Sequence, residues 1–210
     1  MIMLVAISGM VASGKSTLSN NLHLHYKNSK ILYEYDEKDE VFNQFLEWLY
    51  NKNAVVDFAF QSYVVQNYSR HLKQALSQNY DYIFSDRFNL EHFIFAKNKI
   101  SKKPKKFINA YEAMFDVLVS EDKIPDLVIY LDFNFDEFKK RIFKRNRIVE
   151  TSTFNDNIDY WRNLHSIYKK EFINQQQKYK FKVVYLDTNN KNEEDIFKQS
   201  VEIINLYSAK

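Results

Sequence analysis

The stretch from Ser8 to Thr17, which reads Ser-Gly-Met-Val-Ala-Ser-Gly-Lys-Ser-Thr, constrains this chain more than any other feature. It fits the phosphate-binding loop pattern G-x-x-x-x-G-K-[ST] at every fixed position. In that pattern two glycines let the backbone turn and bring successive N–H groups onto phosphate oxygens. The lysine supplies a mobile cation, and the hydroxyl that follows is placed to ligate Mg²⁺. The residues predicted to bind phosphate groups are Gly9, Met10, Val11, Ala12, Ser13, Gly14, Lys15, Ser16 and Thr17.

The sequence on both sides of this loop supplies the secondary structure that the motif requires. The apolar run Ile2 to Ile7 is typical of a strand buried on both faces of a parallel sheet, and Ser16 to Tyr26 can continue as a helix. The chain has only two glycines, Gly9 and Gly14, and both lie in the loop. A sequence that avoids glycine elsewhere keeps it where the backbone must approach a ligand, so a chance turn is the weaker interpretation.

Apolar runs of strand length alternate with helical stretches along the rest of the chain. Further strands are predicted near residues 30–33, 80–86, 125–132 and 181–186, and further helices near 41–50, 55–78, 88–97, 107–119, 135–147, 156–179 and 193–207. Residues 99–106 are predicted to be a basic connector. The alternation predicts an α/β fold with right-handed crossovers: a doubly wound, five-stranded parallel sheet with helices on both faces and a helical lid near residues 141–155. We expect residues 1–210 to form a single domain that binds ligands at the carboxyl ends of the strands.

Charge and cysteine usage limit the partners. The 210 residues carry a net charge of +3 with basic and acidic residues interleaved, so the charge does not indicate nucleic acid as a partner. The lack of cysteine excludes disulfides and cysteine nucleophiles and fits a reducing cytosol, so we expect a cytoplasmic protein. No apolar run approaches the roughly 20 residues of a membrane span, and we expect no membrane partner.

The scarcity of glycine also limits the class of phosphate-loop protein. Switch GTPases need a D-x-x-G motif and transport ATPases a glycine-containing signature, and no glycine is left outside the loop to build either. Small-molecule kinases remain. Phosphoryl transfer depends on positioning and charge neutralisation, so the residues to seek are a metal-binding acid, cations around the phosphate and a base near the acceptor hydroxyl.

Asp86 is the candidate metal-binding acid because it ends an apolar strand that is expected to lie beside the loop. It could bind Mg²⁺ together with Ser16, or it could simply cap a helix. Arg87 follows immediately and would point a guanidinium into the same cleft, which favours the functional interpretation.

Two other groups of polar residues keep both a functional and a structural interpretation. Arg141, Arg145 and Arg147 could close a lid over phosphates, or they could be the solvated end of a helix. Gln61 lies on an apolar helical stripe and could be a core amide or could read the edge of a base.

These residues, in this order and at these spacings, resemble the deoxynucleoside kinase family, which includes deoxyadenosine, deoxyguanosine and deoxycytidine kinases. The resemblance covers nearly the whole chain. It rests on the loop from Gly9 to Thr17, Glu34 after the second predicted strand, Phe60 to Val64 in the long helix, the pair Asp86-Arg87, the strand Pro125 to Leu131, the run Arg141 to Arg147, and Glu150.

The resemblance implies an ATP-dependent kinase of nucleotide salvage, which moves the γ-phosphate of ATP, with Mg²⁺, to the 5′-hydroxyl of a deoxynucleoside. Glu34 would take the proton from this hydroxyl, and Arg87 would lie near the same oxygen. Arg145 and Arg147 would be lid arginines on the transferring phosphate, and Lys15 would neutralise the donor phosphates. The implied partners are thus small molecules, a deoxynucleoside and ATP, and relatives are commonly homodimers.

The same resemblance assigns residues to the rest of the two ligands. Tyr50 and Glu150 would hold the 3′-hydroxyl of the sugar. Gln61 would pair with the edge of the base, and Phe95 would stack on it. The loop that begins at Asp187 would lie near the adenine of ATP.

The chain departs from the family pattern next to two of these residues. Tyr35 follows Glu34 where the family usually has proline, and Phe88 follows Arg87 where a small hydroxylated residue is often found. Asp rather than Glu at position 86 resembles a purine-preferring bacterial branch of the family, which favours deoxyadenosine or deoxyguanosine as the substrate.

Two other functions stay open. A nucleoside monophosphate kinase of the thymidylate kinase type shares the loop, the fold and an Asp-Arg pair, but it needs arginines for an acceptor phosphate and no base such as Glu34. A non-catalytic nucleotide-binding subunit would keep the loop without turnover. The presence of every candidate catalytic residue argues against it.

Overall fold

The computed structural model describes residues 2–33, 38–50, 57–100, 103–146, 151 and 154–209, with only the backbone at positions 49, 50, 57 and 99. The strands are β1 Met3–Ser8, β2 Ser29–Leu32, β3 Tyr82–Asp86, β4 Leu127–Asp132 and β5 Val183–Asp187. The helices are α1 Lys15–His25, α2 Glu40–Tyr50, α3 Asp57–Leu76, α4 Asn89–Ile100, α5 Lys105–Leu118, α6 Phe135–Arg145, α7 Ile158–Tyr179 and α8 Glu193–Ser208. None of these helices is both long and apolar enough to cross a lipid bilayer.

The five strands form one parallel sheet in the order β2-β3-β1-β4-β5. This confirms the predicted α/β fold with a doubly wound, five-stranded parallel sheet. The chain builds the sheet on one side of β1 and then crosses to the other, so the reversal of strand order lies beside β1. In such sheets ligands bind at this reversal, outside the carboxyl ends of the strands.

Residues of β1 face two different layers of helices. Leu4 and Ala6 pack with side chains of α3, α4, α5 and α7, whereas Val5 and Ile7 pack with side chains of α1 and α8. All four side chains are fully buried. Successive residues of a strand point to opposite faces, so an uninterrupted apolar run is what a strand covered on both sides requires.

The connector predicted at residues 99–106 is shorter than expected. Helix α4 runs on to Ile100, which is buried with Phe93 and Ala96 on the same helical face, so its apolar stripe continues one turn further than predicted. Helix α5 then begins at Lys105, directly after Pro104. The φ of −51° at Pro104 is pre-set for helix entry, and the lysines that follow face solvent.

Candidate active site

The phosphate-binding loop joins β1 to α1 through three residues in the left-handed region: Gly9 at φ 139°, Ala12 at φ 62° and Gly14 at φ 93°. The two glycines are required for different reasons. A Cβ at Gly9 would lie 2.7 Å from the carbonyl oxygen of Leu131 in β4, whereas a Cβ at Gly14 would meet no heavy atom of the described residues within 4 Å. Gly9 therefore permits the close approach of the loop to β4, and Gly14 permits the backbone conformation from which α1 starts.

Lys15 is folded back over this loop. Its Nζ donates to the carbonyl oxygens of Gly9 at 3.0 Å and Met10 at 2.9 Å and to Ser13 Oγ at 3.3 Å. These acceptors are neutral, so a phosphate oxygen in the loop would bind the ammonium group more strongly. The cation is thus held at the position where the motif requires it, with partners that an anion can replace.

Ser16 and Asp86 meet at the carboxyl edge of the sheet. Ser16 Oγ donates to Asp86 Oδ2 at 2.5 Å, while Asp86 Oδ1 is buried and has no hydrogen-bond partner among the described residues. An unsatisfied buried carboxylate oxygen beside a hydroxyl group fits a hard cation such as Mg²⁺. The described residues contain no cluster of three or more metal-ligating side chains, so the remaining ligands of such an ion would be phosphate oxygens and water.

A cleft of about 2100 Å³ opens at this edge of the sheet. Its described walls carry more basic than acidic side chains, which suits a ligand with several phosphate groups. Its described lining combines the loop and the first residues of α1, α6 and the start of α8 with Tyr33, Lys38, Asp86, Arg87 and Phe95. The basic residues that line it are Lys15, Lys30, Lys38, Arg87, Lys140, Arg141, Lys144, Arg145 and Lys191.

Arg141 joins the phosphate loop to the loop after β5. Its Nη1 donates to the carbonyl oxygen of Ser13 and to Thr188 Oγ1, both at 3.2 Å, and its Nη2 donates to the carbonyl oxygen of Thr188 at 2.6 Å. Its Nε donates to Glu137 Oε1 at 2.9 Å. These bonds connect Arg141 to the phosphate loop and to the loop after β5. Arg145, one turn later in α6, is exposed and lines the cleft.

Arg87 and Phe95 both line the cleft and contact each other. The centre of the Arg87 guanidinium is 4.7 Å from the centroid of the Phe95 ring, and Nη1 donates to the hydroxyl of Tyr168 at 2.8 Å. Arg87 has a φ of 71° and only 4% of it is exposed. A guanidinium on an aromatic face, held by a hydroxyl, is fixed in orientation.

The described residues place some predicted site residues in the cleft and others elsewhere. Gln61 is buried in α3 and does not contribute to the described lining of the cleft. Asp187 is exposed and accepts from the backbone N–H and the side-chain amide of Asn189, which lower its pKa. It is the chain beyond Asp187, from Lys191 to Glu194, that lines the cleft. Glu34, Tyr35, Arg147, Glu150 and the side chain of Tyr50 lie outside the described residues.

Two buried residues that touch the site were missed by the sequence analysis. Glu91 in the first turn of α4 accepts hydrogen bonds from the loop, and Tyr168 in α7 joins Glu91 to Arg87. Burial raises the pKa of Glu91, and the neighbouring Arg87 and Lys15 oppose this rise. For Glu91, the signal in the sequence was its position: it is an acid between Leu90 and Phe93, on a helical face that the apolar residues assign to the core.

Comparison with known sequences identifies a family. The sequence profile described as deoxynucleoside kinase matches residues 5–206. An uncharacterised protein of Mycoplasma pneumoniae is 33% identical over 206 residues, which cover 95% of this chain and 88% of that protein. A deoxyadenosine kinase of Dictyostelium discoideum is 29% identical over 178 residues, which cover 83% of this chain and 68% of that protein.

Solved structures share the fold. Deoxyadenosine kinase from M. mycoides with bound dATP is similar with a TM-score of 0.76 and 27% identity, over 97% of this chain and 100% of that chain. Thymidylate kinase from Candida albicans is similar with a TM-score of 0.71 and 24% identity, over 98% of this chain and 92% of that chain. At that identity the second similarity shows the fold alone.

The two glycines give a matched pair of stability measurements. Gly14→Ala should cost only the strain of a left-handed L-residue, about 1–2 kcal/mol. Gly9→Ala adds an overlap with the Leu131 carbonyl and should be clearly more destabilising, because that oxygen belongs to the central sheet. Thermal or denaturant unfolding of both variants without nucleotide measures the difference. Equal losses of stability in the two variants would mean that the loop does not depend on its close approach to β4.

Proposed function

The chain belongs to the deoxynucleoside kinase family of enzymes, which act on small-molecule nucleosides and nucleotides, and from this premise we propose that it transfers the γ-phosphate of ATP to the 5′-hydroxyl of a deoxynucleoside. One observation carries the proposal. A single cleft is lined both by the phosphate loop with Lys15, Ser16 and Asp86 and by the Arg87–Phe95 pair. The first set suits a polyphosphate donor, and the second suits an acceptor with a ring and a hydroxyl group.

The donor half of the proposed site neutralises charge. The backbone N–H groups of the loop and the N-terminus of α1 face the β- and γ-phosphates, and Lys15 exchanges its neutral acceptors for phosphate oxygens. Ser16 and Asp86 would hold Mg²⁺, which would offset charge on the phosphates. The family pattern assigns Arg145 and Arg147 to the transferring phosphate and the residues after Asp187 to the adenine.

The acceptor half orients the deoxynucleoside. Phe95 offers its ring to the base, and Arg87, fixed against that ring and by Tyr168, binds the oxygen that attacks. Glu34 removes the proton from the 5′-hydroxyl as general base. The family pattern alone supports the roles of Gln61 at the edge of the base and of Tyr50 and Glu150 at the 3′-hydroxyl.

The base that we propose is a purine. Asp86 is the residue of the purine-preferring pattern, and the relatives from Dictyostelium discoideum and M. mycoides are named deoxyadenosine kinases. A purine also offers the larger ring system for stacking on Phe95. Competition between deoxyadenosine and deoxycytidine for the same enzyme measures this preference, and a higher kcat/KM for deoxycytidine would contradict it.

Family resemblance and the lack of cysteine lead us to propose that the 210 residues work as one domain in a cytoplasmic homodimer. Analytical ultracentrifugation of the purified protein should give twice the mass of the chain. A species with the mass of one chain at micromolar concentration would contradict the dimer.

The proposed metal site predicts a specific effect of Asp86→Asn. The substitution keeps the shape of the side chain but removes the charge that binds Mg²⁺, so ATP affinity should fall about tenfold or more with Mg²⁺ present and change little in EDTA. Titration calorimetry under both conditions measures this, with Asp81→Asn, an exposed acid of the opposite edge of the sheet, as the control. Equal effects with and without Mg²⁺ would remove Asp86 from the metal site.

The proposed base catalysis predicts the result of Glu34→Gln. The amide cannot accept the proton of the 5′-hydroxyl, so kcat should fall about 10²-fold to 10⁴-fold while the KM for the deoxynucleoside changes little. Steady-state kinetics with Glu40→Gln, an exposed acid at the start of α2, supply the control. A Glu34→Gln enzyme with nearly normal kcat would exclude Glu34 from the reaction.

A further inference from the structure

Glu91 is buried next to Gly9, at the start of the phosphate loop. Its carboxylate accepts from Ser8 Oγ at 2.8 Å and from the backbone N–H of Gly9 at 3.1 Å, and 0% of the residue is exposed. Gly9 is the first residue after β1, where the loop begins. A helix side chain therefore holds the position from which every later residue of the loop is placed.

The same carboxylate is joined to Arg87 through Tyr168. The Tyr168 hydroxyl donates to Glu91 Oε1 at 2.7 Å and accepts from Arg87 Nη1 at 2.8 Å. A phenol has one proton to donate and can accept with its lone pairs, so the two bonds are compatible. The order of donors is fixed along the whole path: guanidinium to hydroxyl, hydroxyl to carboxylate, and loop N–H to carboxylate.

Charges around Glu91 oppose the effect of its burial. The cations that face it are Arg87, through Tyr168, and Lys15 on the loop above, and the positive end of the α4 helix dipole lies at its own backbone. Three hydrogen bonds satisfy the carboxylate, which is the arrangement that a buried charge requires. A neutral group at this position would remove the anion that the nearly buried Arg87 reaches through Tyr168.

We propose that Glu91 is a positioning residue that fixes both halves of the active site: it holds the loop at Gly9 and, through Tyr168, it sets the orientation of Arg87 against Phe95. The donor and the acceptor sides then share one buried network, and neither can shift without the other. The Arg87 part of this inference rests on the proposed function, because it assumes that Arg87 takes part in turnover. The loop part does not.

Tyr168→Phe tests the link to Arg87 and leaves the loop contacts in place. It removes one hydroxyl, so kcat with the deoxynucleoside should fall about 10-fold to 100-fold, as expected for a lost hydrogen bond to a charged group. Affinity for Mg²⁺-ADP should stay within about twofold, since Glu91 still holds Gly9. Tyr111→Phe is the matched control, because the Tyr111 hydroxyl is also buried and has no hydrogen-bond partner among the described residues.

A double-mutant cycle separates positioning from a general loss of packing. If Tyr168 acts through Arg87, adding Tyr168→Phe to Arg87→Ala should lower kcat no further. A full additional loss, or a kcat for Tyr168→Phe no lower than that of Tyr111→Phe, would overturn the link.

Glu91→Gln tests the loop contact. The amide places N–H donors where the loop also presents donors, so Mg²⁺-ADP affinity should fall about fivefold or more and kcat should fall as well. Unchanged Mg²⁺-ADP affinity in a Glu91→Gln protein with a normal melting temperature would overturn this half. If Glu91→Gln does not fold, Tyr168→Phe still decides the link to Arg87, and Ser8→Ala, which removes the hydrogen bond from Ser8 Oγ to Glu91, tests the loop contact: unchanged Mg²⁺-ADP affinity in Ser8→Ala would overturn it.

Failure of the proposed function can be distinguished from failure of the positioning role of Glu91. A wild-type protein that binds Mg²⁺-ADP but phosphorylates no nucleoside refutes the function, while the affinity of Glu91→Gln still tests the loop. In that case a crystal structure of Tyr168→Phe tests the link, which predicts that the Arg87 guanidinium leaves the Phe95 ring. An Arg87 guanidinium that stays on the Phe95 ring in Tyr168→Phe would overturn the link.

Discussion

The parallel pairing of β1 with β3 is the constraint on which the site depends. It sets Ile7 beside Asp86 in register, and the backbone N–H of Arg87 donates to the carbonyl oxygen of Ile7 at 3.1 Å. Neighbouring strands lie about 4.8 Å apart, so the loop that leaves β1 and the acid that ends β3 must meet at one edge. The hydrogen bond from Ser16 to Asp86 is the direct result, and it puts a hydroxyl and a carboxylate where a metal can use both.

Helix α4 adds the second half of the site because of where it starts. The left-handed φ of Arg87 turns the chain sharply between β3 and α4. From that start Glu91 and Phe95, which are four residues apart, share one face of the helix. Glu91 reaches the loop and Phe95 reaches the cleft, with Arg87 between α4 and Tyr168. A single turn of backbone thus decides the geometry of the proposed acceptor side.

The sequence predicted the parts of this arrangement that depend on local patterns. The loop, the buried strands and the pair Asp86-Arg87 carry their signals in consecutive residues, and all of them lie where a parallel sheet requires. Glu91 and Tyr168 could not be found in this way, since they are 77 residues apart and each looks like an isolated polar residue on an apolar helix face. Only the packing of α4 against α7 brings them together.

Arg141 shows a related limit. Its sequence left a lid role and a helix-end role open, and neither interpretation predicted that its guanidinium donates to main-chain oxygens of Ser13 and Thr188. Sequence spacing gives the face of a helix, whereas the partner of a long side chain depends on the loops that the fold brings near. The same reason explains why the cleft is lined by Lys191 to Glu194, beyond the strand-ending Asp187.

The most direct measurement is the identity of the phosphorylated product. The wild-type protein is incubated with Mg²⁺ and ATP labelled at the γ-phosphate, with each of the four deoxynucleosides and, in parallel, with each matching monophosphate. The account predicts label on the 5′-oxygen of a deoxynucleoside, with most of it on a purine, and no labelled diphosphate. Label transferred only to monophosphates would contradict it and would assign the cleft to a phosphorylated acceptor.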